Sequence, residues 1–180
     1  MATQLAPEPV RPLVTLEEYL DSCYEPDCEY NEGVLEERNM GEFEHSWMQS
    51  ILATLFNNQM QTWGTFALTE QRVQTGVRRY LIPDVTVLRR GLPREPILTR
   101  PPLIAIEAMS PKDSLRTATT KALEYQAFGI ENIWVIDPYK RVAYRGTESG
   151  LELLADGELT VPGTDIRVSA RELFERLDQF

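Results

Sequence analysis

Two carboxylates stand where apolar strands should run. Asp84 lies in Ile82-Pro83-Asp84-Val85, and Glu107 in Leu103-Ile104-Ala105-Ile106-Glu107-Ala108-Met109. Ionised acids are rarely set in buried runs unless something compensates them. A structural salt bridge is the usual compensation for one such acid. Two in nearby strands favour a shared divalent cation, and hard oxygen donors suit Mg²⁺ or Mn²⁺, with water and phosphate filling the shell. Lys121 is the third candidate. At helical spacing it shares a face with Thr117, Ala118, Tyr125 and Phe128, and an apolar face of that kind packs on a sheet. A lysine there either neutralises the buried acids or orients water beside a metal.

Around these residues the chain supplies the helices and strands that hold them. Thr15 reads as the N-cap of a short helix, with Glu18 as its capping-box partner. The run CEYNEGVLEE alternates about Asn31-Glu32-Gly33, a hairpin signal. Over 42–61, Trp47, Met48, Ile51, Leu52, Leu55 and Phe56 recur at helical spacing. Strands are expected over 65–73, 80–88 and 103–109, then a second long helix over 112–128 ended by Gly129. A short strand over 132–136 closes at Asp137-Pro138, and lesser strands fall at 142–144, 152–154 and 166–168. Ser169 and Glu172 begin a last helix. The middle of the chain therefore reads αβββαβ, an α/β fold with one mixed central sheet flanked by helices. Residues 1–14, with Pro7, Pro9 and Pro12, are expected as an extended arm, and 15–180 as a single domain.

The 180 residues carry a net charge of −10, unevenly spread. Residues 1–71 hold 2 basic and 13 acidic side chains, whereas 72–121 hold 10 basic and 4 acidic. Such a block is either solvated surface or a source of phosphate contacts, from Arg78, Arg79, Arg89, Arg90, Arg94 and Arg100. Two cysteines and one histidine make no disulfide framework and no Cys/His zinc site. Residues 46–69 are uncharged, yet Gln49, Asn57, Asn58, Gln59 and Gln61 interrupt them too often for a membrane span. The first residues hold no apolar run of a signal peptide, so a cytoplasmic protein is expected. Walker, dinucleotide-binding, HExxH and GxSxG motifs are absent.

In their order, YLIPDVTVLRR, PPLIAIEAMSP and TKALEYQAFGIENIWVIDP resemble the Uma family of putative restriction endonucleases, within the PD-(D/E)XK nuclease-like superfamily. The upstream CEYNEGVLEERNMGEFEHSWMQSILATL resembles that family's acidic hairpin and following helix. The resemblance implies a restriction-endonuclease-like core and a divalent-metal phosphodiesterase site. Asp84 and Glu107 would hold the metal. Lys121 would be a lysine moved from the strand to the next helix, His45 the histidine of the first long helix, and Glu29 the hairpin acid. Two positions depart from the pattern: Met109 stands at the strand-lysine place, and Thr117 where the family has an aspartate.

The expectation is thus an Mg²⁺- or Mn²⁺-dependent endonuclease acting on DNA, as a homodimer suited to two-fold DNA. Asp84, Glu107 and Lys121 should converge, with His45 and Glu29 bordering the same cleft. The alternative is a catalytically silent nucleic-acid- or protein-binding module that keeps the fold; a small-phosphoester hydrolase is a weaker one. Read as structural residues, His45 is a packing or capping histidine and Glu29 a cross-strand surface acid.

Overall fold

A computed structural model describes residues 13–39, 41–154 and 157–179. The arm expected over 1–14 lies almost wholly outside them. Thr15 caps α1 (Leu16–Asp21), its hydroxyl accepting from the Glu18 amide. The hairpin β1 (Cys28–Asn31) and β2 (Val34–Glu37) turns through Glu32 and Gly33, both at positive φ. The long helix α2 (Phe43–Asn58) is followed by one turn, α3 (Met60–Trp63). Next come β3 (Thr65–Thr69), β4 (Val73–Gly76), β5 (Arg79–Leu81), β6 (Val85–Arg89), β7 (Ile104–Ala108) and α4 (Leu115–Phe128). The chain ends with β8 (Asn132–Asp137), β9 (Val142–Thr147), β10 (Gly150–Leu153), β11 (Glu158–Thr160), β12 (Arg167–Ser169) and α5 (Ala170–Leu177).

The central sheet has six strands in the order β10-β9-β8-β7-β6-β3. β7 and β8 run parallel, which requires a crossover, and α4 supplies it. All other neighbours in this sheet are antiparallel. The αβββαβ order holds as α2, β3, β6, β7, α4 and β8. On one face Met48, Ile51, Leu52 and Phe56 of α2, with Leu173 and Leu177 of α5, pack on Val85, Val87, Ile104, Ile106 and Trp134. Each such side chain contributes roughly 1.5–3 kcal/mol on burial. On the other face Ala122 and Tyr125 of α4 pack on Ala105 and Ile133.

The expected strand over 80–88 is two strands in two sheets. β5 belongs to a four-stranded sheet of order β2-β1-β5-β4, and β6 to the central one. Pro83, which has no N–H to give a ladder, sits at the break, and the chain bends at Asp84 before β6 begins. Residues 80–88 are buried throughout, so apolar character alone could not mark the crossing. The expected run 65–73 divides likewise: β3 stops at Thr69, and Val73 opens β4 of the smaller sheet. No described helix is long and apolar enough to cross a membrane.

Candidate active site

The two sheets meet at Asp84. Continuing the β6–β7 register (Val85 opposite Ile106) by one step sets Asp84 opposite Glu107. The Ala108 amide donates to Asp84 Oδ2 at 2.8 Å, locking the aspartate to the end of β7. His45, in the first turn of α2, brings Nε2 to 3.2 Å from the same oxygen. One turn later Gln49 donates to the Asp84 carbonyl at 2.9 Å. Arg38, just past β2, donates from Nη2 to Asp84 Oδ1 at 2.5 Å.

Glu107 faces α4. Lys121 Nζ lies 2.9 Å from its Oε1 and 2.7 Å from Glu29 Oε1, and so bridges β7 to the hairpin. Tyr125, one turn after Lys121, donates its hydroxyl to Glu107 Oε1 at 2.5 Å. Glu29 Oε1 also accepts from the Ile82 amide at 3.0 Å, two residues before Asp84. Glu29 is buried rather than a surface acid. α4 can place Lys121 because both its ends are fixed. Ser114 accepts from the Thr117 amide, and Gly129 ends the helix at φ 104°.

A cleft of about 650 Å³ opens over these groups, lined by Glu29, Arg38, His45, Asp84, Glu107 and Lys121 among others. All five residues expected at the site therefore reach it. Met109 and Thr117 line it too. The phosphate-binding expectation fares differently, for of the six arginines only Arg79 lines the cleft. Arg79 is engaged by Glu36 and Glu124, Arg78 by Glu32, and Arg100 by Glu95. β6 carries Arg89 away from Asp84, while Arg90, Arg94 and Arg100 line a separate apolar hollow.

The electrostatics separate the two facing acids. Burial works against Asp84 ionising, but the hydrogen bond and charge of His45, then Arg38, hold its carboxyl below the usual range. Burial pushes Glu107 up to about 7, against the pull of Lys121, with the Asp84 and Glu29 charges adding to the rise. Burial also opposes the charged form of Lys121, yet Glu107 and Glu29 outweigh it and raise its pKa. His45 is raised by Asp84 despite its burial.

Sequence reasoning missed Arg38, Tyr125 as a ligand of Glu107, and Gln49. Arg38 did leave a signal, since it is one of two basic residues in the first 71. Gln49 stands four residues from His45 and so shares its helical face.

The donor set suits a hard divalent cation: two facing carboxylates in a cleft, one of them raised by burial and, less, by its acidic neighbours. Among the described residues no group of three or more His, Cys, Asp or Glu is arranged to hold a metal. A cation completed by water and phosphate needs only two carboxylates.

Comparison with known proteins settles the family. Uma2, described as "Putative restriction endonuclease", matches residues 16–147. The chain belongs to the Uma2 family. The crystal structure of a putative nuclease of DUF820 from Anabaena variabilis ATCC 29413 is similar at a TM-score of 0.78 and 26% identity, over 91% of this chain and 99% of that one. The Uma2 chain thus has a restriction-endonuclease-like fold. A cryoEM structure of a DrdV–DNA complex shares 16% identity at a TM-score of 0.39, over 73% of this chain and 11% of that one, a likeness too slight to argue from. No curated protein matches the sequence.

Proposed function

We propose that this protein is an endonuclease hydrolysing phosphodiester bonds in DNA, with Mg²⁺ or Mn²⁺ held by Asp84 and Glu107. The observation that supports this most is the bridge from Lys121 to Glu29 and Glu107, beside Asp84 in an open cleft. A divalent cation there supplies positive charge against the phosphate and makes a bound water more acidic. Asp84 is kept ionised and so presents a ready carboxylate. Lys121, its pKa raised, serves as an ammonium and not as a general base. It donates toward the attacking water or a non-bridging phosphate oxygen as charge develops there. Glu29 and Tyr125 position Lys121 and Glu107, while His45 fixes one oxygen of Asp84.

The test is incubation with plasmid and single-stranded DNA, with and without Mn²⁺. Cleavage should require the metal and disappear in Asp84→Ala. Metal-independent cleavage, or cleavage that survives the substitution, would overturn the reading. Met109 and Thr117 favour a second reading, a silent module that binds nucleic acid or protein without cutting. That reading predicts a folded protein whose Mn²⁺ binding does not depend on Asp84 and Glu107. The proposal includes a homodimer, because two-fold duplex DNA favours two-fold protein. Light scattering that gives a monomer mass over a wide concentration range would remove the dimer.

A further inference from the structure

The oxygens of Asp84 are not equivalent. Oδ2 takes two partners, the Ala108 amide at 2.8 Å and His45 Nε2 at 3.2 Å. Those partners sit on β7 and α2, fixed parts of the frame. Oδ1 is bonded by Arg38 at 2.5 Å. Arg38 lies past the end of β2, and its side chain is 14% exposed and lines the cleft. Its other anionic contact is Glu70 Oε1 at 3.5 Å, on a side chain 55% exposed. Asp84, Glu107, Glu29 and Glu70 are the acids that act on it.

Oδ1 is therefore the oxygen open to a cation, and a guanidinium already sits on it. A divalent ion at coordination distance from Oδ1 would stand within a few ångströms of that guanidinium, about the separation at which like charges repel strongly in a partly buried site. Both cannot stay. Glu70 offers the displaced group a second carboxylate close to where it already is.

We propose that Arg38 is a positioning residue that occupies the metal-binding oxygen of Asp84 and moves toward Glu70 when the divalent cation enters. This rests on the proposed metal site and adds the group that holds Oδ1 in place before the metal arrives. Linkage makes the effect reciprocal, so the cation loosens Arg38 as much as Arg38 weakens the cation.

Competition can be separated from a general field effect. Arg79 lines the same cleft but pairs with Glu36 and Glu124, touching neither metal carboxylate. Mn²⁺ affinity would be measured by electron paramagnetic resonance for wild type, Arg38→Met, Arg38→Lys and Arg79→Met, each first shown folded by circular dichroism. Arg38→Met should bind Mn²⁺ about tenfold more tightly, within the usual span of such couplings. Arg38→Lys should fall between it and wild type, because an ammonium lacks the planar fork; it also serves if Arg38→Met fails to fold. Arg79→Met should change affinity little. In wild type, Mg²⁺ should shift the side-chain nitrogen resonances of Arg38. Unchanged Mn²⁺ affinity in the Arg38 variants, or an equal gain in Arg79→Met, would overturn the inference and leave the metal site standing. No Mn²⁺ binding by any variant would overturn both.

Discussion

Asp84 and Glu107 face one another with opposite proton affinities, and the sign of each shift fixes a pH window. Asp84 is lowered from 3.8, so its contribution to stability is present above that value and is lost as pH falls through its folded pKa. Glu107 is raised from 4.5 to about 7. Its contribution is therefore greatest at low pH and is lost as pH rises from its unfolded value through about 7. In metal-free protein, Glu107→Gln should gain stability relative to wild type between pH 5 and 8, measured by thermal melts in chelator. Parallel curves would show that Glu107 is not strained. Lys121 gives the complementary case, for its side chain is 19% exposed and holds two acids. Lys121→Ala should cost ~3–5 kcal/mol, as when one partner of a buried pair is removed, with Mg²⁺ restoring part of it. Plasmid nicking, measured under conditions where the variant is folded, should fall on the order of 10²–10³-fold. Equal nicking would leave Lys121 as a counter-ion only.

At the scale of elements, the site depends on α4 stopping and starting in the right places. Gly129 ends it at φ 104°, where a Cβ would also come within 3.3 Å of Pro101 Cγ. Gly129→Ala should destabilise by about 1–2 kcal/mol, the cost of a left-handed L-residue, read as a shift in urea midpoint without a change in slope. A change within error would mean that the loop relaxes freely. The caps Thr15 and Ser169 were legible because a hydroxyl at that place meets an otherwise orphaned amide within its own helix; Ser114 was not, for the helix expected from 112 begins only at Leu115. The break between β5 and β6 was not legible either, since both halves are buried and both read as strand.

Over the whole molecule, charge and geometry point in different directions. The chain is acidic, yet the exposed Arg89 and Arg94 lie on the basic segment that leaves the cleft along β6. Five strand steps put Arg89 about 16 Å from Asp84, within reach of a duplex lying at the proposed site. Arg89→Glu with Arg94→Glu should weaken binding to a long duplex and reduce its salt slope by about 2. Mn²⁺ affinity should be unaffected. Unaltered duplex affinity, followed by fluorescence anisotropy across a salt series, would take that surface out of the path of DNA.

Sequence alone carries the αβββαβ order, the caps Thr15, Gly129 and Ser169, and the candidacy of Asp84, Glu107 and Lys121. Periodicity and capping act within a few residues, and a charge inside an apolar run is visible without knowing its partner. It also pointed to Glu29 and His45, through the resemblance of the hairpin and helix that carry them. The folded arrangement alone decides which atoms meet. Arg38 reaches Asp84 across 46 positions and Lys121 reaches Glu29 across 92, and no local pattern records such pairings. It decided, too, that the chain changes sheets at Pro83-Asp84 and that most of the basic block lies away from the cleft. Strand direction, not position along the chain, sets where a side chain ends up.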